Sequence, residues 1–256
     1  MNNFFKILGC GSSLGSPWIN NTWGKCNKLN KKNKRTRCSA FLRIDDISVL
    51  IDASPDIKDQ FLKNELKELD YVLFTHEHAD QTSGIFELRP FYWINKRRIP
   101  IYGSVRTIRE LKKSHEYCFS HKNGYKPILK ANHTKSNFIL KKGGHKINVK
   151  SFEVQHGQIT STAYIINKIA YLSDCNKISD KDLPLLKNLN CLIIDCLKKE
   201  KHPSHFNMDE SIELSKYLKP KKTILTNLHT DLDYNNLKTF LPKNIIPAYD
   251  GITINL

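Results

Sequence analysis

Tyr71-Val72-Leu73-Phe74-Thr75-His76-Glu77-His78-Ala79-Asp80-Gln81-Thr82-Ser83-Gly84 sets an apolar run of strand length against two histidines and an aspartate at alternating positions. Core packing does not ask for that order. Imidazole and carboxylate are the donors that a borderline or hard divalent ion prefers, so the stretch reads as a metal-binding strand end. His76 and His78 leave an extended segment on the same side and can share one ion. Asp80, past the turn, is placed to reach a second ion or to steer a bound water.

Working outward, His156, Asp174 and His229 also stand where an apolar run stops, and His205 lies in the loop 202–207. Side chains that meet at one edge of a sheet come from strand ends, where loops are free to aim them. Three histidines plus an open position is the composition of a catalytic rather than a structural zinc site. His115, His121, His133 and His202 read instead as surface or loop histidines.

The rest of the pattern supplies a scaffold. Residues 4–10 read as a first strand, and 39–44 and 48–51 as a hairpin turning at Asp45-Asp46. A helix is predicted over 56–69, with Ile57, Phe61, Leu62, Leu66 and Leu69 on one face. Thr82 or Ser83 is a candidate cap for a helix carrying Ile85, Leu88 and Phe91-Tyr92-Trp93. Residues 137–172 form a β-meander, 191–196 a buried strand carrying Asp195, and 208–218 a helix capped by Asn207. The glycines of Gly9-Cys10-Gly11-Ser12-Ser13-Leu14-Gly15 miss the dinucleotide fingerprint, because Leu14 stands where glycine is required. With no repeat and no Gly/Ser linker, the expectation is one α/β domain over 1–256, two sheets face to face with helices outside.

Composition bounds the function classes. The hydrophobic share of 39% fits a soluble globular chain, and no apolar run approaches a membrane span. The amino-terminal Phe4-Phe5 and Ile7-Leu8 are split by Lys6, too interrupted for a signal peptide, so a cytoplasmic protein is expected. Seven cysteines without a C-x-x-C pair read as reduced thiols. The net charge is +16, yet only eight of the 41 basic residues are arginine, the residue that phosphate and base recognition favours. A general basic surface that attracts small anionic substrates is the reading adopted. A nucleic-acid partner held by the basic, acid-free loop 16–38 is its alternative, although such charge runs are usually solvated loops.

Thr75 to Gly84 resembles the H-x-H-x-D-H signature of the metallo-β-lactamase superfamily. The match continues in order through Gln155-His156-Gly157, Ser173-Asp174 and Leu228-His229, covering nearly the whole chain. Leu8 to Ser13, Arg37-Cys38-Ser39, Ile51 to Asp56, Gly84 to Pro90, His205 to Glu210 and Ala248 to Gly251 look like the branch containing the phosphoribosyl cyclic-phosphate phosphodiesterase of the carbon–phosphorus lyase pathway. The resemblance implies a four-layer αββα sandwich and a two-metal hydrolase. It assigns His76, His78 and His156 to a first zinc, Asp174 to a bridge, and Asp80 and His229 to a second. Asp80 would also orient the attacking water, and His205 would stand near the scissile phosphate.

Two departures follow. The signature's last histidine is Gln81, whose amide is a poorer zinc ligand than imidazole, so the second metal site is expected to be weak or absent. The cysteine-rich structural zinc of the branch keeps only Cys26, so that site is expected to be missing. The implied function is a phosphodiesterase of small cyclic phosphates or nucleotides, using water activated by zinc, with manganese or iron as alternatives. A nuclease, a thioester or ester hydrolase, and a binding protein that lost catalysis at Gln81 remain as rivals. A homodimer is compatible with any of them.

Overall fold

In sheet strands as in helices, the apolar spacing decides which side each element buries. A computed structural model of the chain describes residues 3–121 and 124–256. The first half contributes β1 (Phe4–Gly9), β2 (Ser39–Ile44), β3 (Ile47–Ile51), β4 (Tyr71–Leu73), β5 (Ile99–Gly103) and β6 (Leu129–His133). The second contributes β7 (Asn137–Lys142), β8 (His145–His156), β9 (Ile159–Ile166), β10 (Ile169–Leu172), β11 (Cys191–Asp195), β12 (Lys222–Thr226) and β13 (Ile245–Pro247). A last strand, β14 (Thr253–Asn255), returns to the first sheet. The sheets run β14-β1-β2-β3-β4-β5-β6 and β13-β12-β11-β10-β9-β8-β7. Each is antiparallel in its hairpin portion and parallel from β3 to β6 or from β10 to β13.

The period of two sorts side chains between layers. Ile47, Val49 and Ile51 of β3 and Tyr71 and Leu73 of β4 face the other sheet, meeting Val149, Tyr164, Tyr171 and Ile193. Leu50 and Val72 point outward into a layer closed by α1 (Ile57–Lys63) and, beyond α2 (Ala79–Thr82) and α3 (Arg89–Asn95), by α4 (Val105–Ser114). On the far side Leu192, Ile194 and Leu225 pack beneath α5 (Met208–Leu218) and α6 (Tyr234–Phe240). Three apolar layers between four structural ones make the αββα sandwich. The near-continuous apolar runs of the parallel strands reflect cover on both faces.

Local expectations fared unevenly. Asn207 caps α5 in a reciprocal box with Glu210, and Ser104 caps α4. The helix over 56–69 stops at Lys63, because Glu65 turns left-handed at φ 53° and Leu66 packs from a loop. Neither Thr82 nor Ser83 caps a helix: Thr82 is in α2, and the next turn starts from Gly84 with no side-chain cap.

The basic loop is the larger correction. Its lysines stay exposed, as expected of a solvated charge run, but Asn33 and Arg35 are buried and tie the loop down, and Arg35 is only 2% exposed. Its guanidinium donates to the carbonyls of His229 (3.2 Å) and Leu232 (2.7 Å) and to Asn33 Oδ1 (3.2 Å), with Cys26 Sγ at 3.8 Å. Asn33 in turn donates to Asp233 at 2.6 Å. A cation held by backbone carbonyls thus joins the Cys26 loop to the segment that carries His229. Removing it strands several buried acceptors, so Arg35→Ala is expected to cost roughly 3 kcal/mol and lower Tm by roughly 6–10 °C in a thermal melt. A change below about 1 kcal/mol would contradict this account.

Candidate metal centre

β4 ends one residue before Phe74, and the backbone leaves the sheet there because its bonds go elsewhere. Phe74 N donates to the Tyr102 carbonyl, Tyr164 Oη donates to the Phe74 carbonyl, and Thr162 N donates to the Thr75 carbonyl, all at 2.7–2.8 Å. His76 therefore emerges between the two sheets, fully buried, whereas His78 opens to solvent. Asp52, in the left-handed region at φ 62°, accepts hydrogen bonds from Thr75 N (2.8 Å) and Thr75 Oγ1 (2.9 Å). That leaves Thr75 Oγ1 to accept from His76 Nδ1 at 3.0 Å, and Nε2 is the atom His76 presents.

His156 arrives from the end of β8 with the same logic. Its Nδ1 donates to the Ser204 carbonyl at 2.7 Å, again leaving Nε2 bare. Gly157 follows at φ 59°, and a Cβ there would meet Ser204 Cβ at 2.9 Å, so only glycine lets the Ser204 loop approach. The two bare nitrogens converge on His78 Nδ1, at 3.0 Å from His76 Nε2 and 3.3 Å from His156 Nε2. A neutral imidazole can donate one proton through Nδ1, not two, so this trio is left short of donors. Three nitrogens about 3.3 Å apart are also the face of a tetrahedron with bonds of about 2.0–2.1 Å, the geometry of zinc. The donors fit a divalent ion.

Around this trio lie the acids. Asp174, 3% exposed, shares a second compact group with His156 and His205. Burial alone would raise its carboxyl, but the imidazoles of His76, His205 and His156 hold it below the usual range. Burial and then the Asp174 charge push Asp80 up to about 6, and burial drives His76 down to about 3. A site with these displaced protons is one in which an added cation would find unprotonated ligands.

Gln81 gives the departure from the signature a physical form. Its Nε2 donates to Asp174 Oδ2 (3.2 Å) and Asp80 Oδ2 (3.3 Å), while its buried Oε1 has no partner. The amide thus spans the two acids assigned to a second metal. Reversing it would set a carbonyl against two carboxylates, an arrangement only a cation among them would stabilise. His229 lines the same cavity but turns Nδ1 to Asp231 Oδ2 at 3.0 Å, and it lies outside both compact groups.

Sequence reasoning undervalued three residues. Asp195, wholly buried at the end of β11, accepts from His205 Nδ1 at 2.7 Å, a positioning role and not merely a core one. Despite burial, that carboxylate lifts the His205 pKa to about 9. Asn227, left-handed at φ 62° after β12, donates through Nδ2 to Asp174 (3.3 Å) and Asp195 (3.2 Å). Its place at a strand end two residues before His229 was the available signal. His202, read as a plain loop residue, lines the site cavity of about 330 Å³. His115 and His133 stay away from it.

A family model described as a beta-lactamase superfamily domain matches residues 48–227, from β3 to Asn227. The chain belongs to the beta-lactamase superfamily. Among solved relatives, the structure of a new diphosphatase from the PhnP family matches with a TM-score of 0.91 and 29% identity, covering 100% of this chain and 98% of that one. Human tRNase Z, short form, shares the superfamily fold at a TM-score of 0.70 and 18% identity, covering 98% of each chain. A Porphyromonas gingivalis protein named octanoyltransferase is 30% identical over 252 residues. The match takes in 96% of this chain, which spans about half the length of that curated relative. No helix among the described residues is long and apolar enough to cross a membrane.

Proposed function

We propose that the chain is a metal-dependent hydrolase of small phosphodiesters or nucleotides, acting as one domain over residues 1–256 in the cytoplasm. The observation that carries this reading is the convergence of His76 Nε2, His78 Nδ1 and His156 Nε2 at the base of one small cavity that His78, His156, Asp174 and His205 line. A volume of about 330 Å³ lies at the lower end of ligand pockets and suits a small ester. Full-length likeness to the PhnP-family diphosphatase supports a phosphorus centre.

His76, His78, His156 and Asp174 would hold the ion, preferably zinc; Asp80 and His229 flank a second position that Gln81 disfavours. When bound, the metal supplies the charge that acidifies water and neutralises phosphoryl oxygens. Asp80 accepts a hydrogen bond from the attacking water, orients its lone pair toward phosphorus and takes the proton that the water sheds as it attacks. As the new P–O bond forms, the bond to the leaving oxygen breaks and that oxygen takes a proton from His205 Nε2. Asp195 holds Nδ1, so Nε2 is the atom free to donate.

A carboxyl-thioester substrate is the second reading, favoured by the match to half of the octanoyltransferase. The test is turnover by the purified chain loaded separately with zinc, manganese or iron. Substrates are bis-p-nitrophenyl phosphate, a ribose cyclic phosphate and an octanoyl thioester. Phosphodiester turnover above that of the thioester is expected. No phosphodiester turnover with any of the three metals removes the leading reading.

A further inference from the structure

The segment that leaves Asp80 carries an aromatic and basic cleft that the proposed reaction does not use. Phe86 and Tyr117 stack with centroids 4.7 Å apart and planes 11° apart, and both remain open to solvent. Arg89 lies over the rings of Trp93 (4.8 Å) and Tyr125 (5.5 Å), and Trp93 is 60% exposed. Lys113 and Lys126 join Phe86, Arg89, Tyr117 and Tyr125 around a cavity of about 700 Å³, with Trp93 outside its lining and Glu116 the one acid among the described lining residues. Aromatic side chains normally bury their faces, and four rings left at the surface beside three cations are not explained by the core.

We propose that this cleft binds a nucleotide unit, its base on the Phe86–Tyr117 platform and its phosphate against Arg89, Lys113 and Lys126. Every base has a flat π-face, so stacking selects nucleotides without selecting sequence, and the cations supply the salt-dependent term. Arg89, held over the Trp93 and Tyr125 rings, keeps a delocalised cation in the cleft to meet phosphate. The net charge of +16 draws such anions to the surface. The unit has two sources, a free nucleotide or a single-stranded nucleic acid, and the cleft's chemistry is common to both.

The experiment is fluorescence anisotropy of a labelled single-stranded oligoadenylate of about ten nucleotides, with AMP as competitor. Tyr117→Ala is expected to weaken binding about tenfold. Lys113→Glu with Lys126→Glu weakens it further and flattens its salt dependence. The same charge change at exposed Lys216 and Lys238, on α5 and α6, leaves affinity within about twofold. All four lysines are exposed, so unchanged melting temperatures confirm folded variants. Displacement by AMP assigns the cleft to a single nucleotide, and resistance to AMP assigns it to a linked strand. Equal affinity in all variants, or an equal loss in the Lys216 and Lys238 pair, overturns the proposal.

Discussion

His76→Ala is expected to leave the chain without a tightly held metal ion and to lower kcat/KM by about a thousandfold or more. His76 Nε2 is fixed from behind by the Asp52–Thr75 chain, and it approaches His78 Nδ1 at 3.0 Å. Alanine removes one corner of the trio and leaves His78 and His156 to face an opened site. His156 cannot supply a replacement nitrogen, because its Nδ1 is committed to the Ser204 carbonyl. Metal analysis after gel filtration reads the outcome. Full occupancy in the alanine variant would mean that the ion sits elsewhere.

His205→Ala carries the second large effect, and it separates chemistry from metal binding. Loss of a general acid costs about 10²–10⁴-fold in rate for a poor leaving group. An alkyl ester leaves as a basic alkoxide and needs the proton from Nε2. A p-nitrophenyl ester leaves as a stabilised anion and hardly needs it, so the variant should retain far more activity on that substrate. Metal content stays near the native level, since His76, His78 and His156 are untouched. Asp195→Asn should show the same leaving-group dependence in milder form, because an amide can no longer fix His205 Nδ1 at 2.7 Å as a carboxylate does. Equal losses on both esters would exclude His205 as the proton donor.

How much of this was legible in the chain depends on where the information sits. The candidate ligand positions stood out in the sequence because each follows a strand-length apolar run, as His76 does after β4 and Asp174 after β10. The two-sheet sandwich followed from the same runs and from the helices between them. Arg35 was not readable. In a lysine-rich loop it resembles its neighbours, and only the distant carbonyls of His229 and Leu232 make it a buried tie. Asp52 and Asn227 lie in the left-handed region, which their residue types tolerate, but no local signal says that their side chains then reach Thr75 or Asp174. The apolar spacing over 56–69 overran its helix because Glu65 breaks the backbone without disturbing the pattern. Gln81 was visible as a departure, while the direction of its amide depends on two acids brought together from different strand ends.

That amide states the central claim most sharply. With Nε2 bridging Asp80 and Asp174, the chain already satisfies the two acids that a second ion would otherwise share. Zinc titration by calorimetry, with metal analysis of the dialysed protein, tests this directly in the native chain and in Gln81→His. One tightly held ion per native chain is predicted, with a second gained when imidazole replaces the amide. Two tightly held ions in the native chain, or no gain in the histidine variant, would contradict the account.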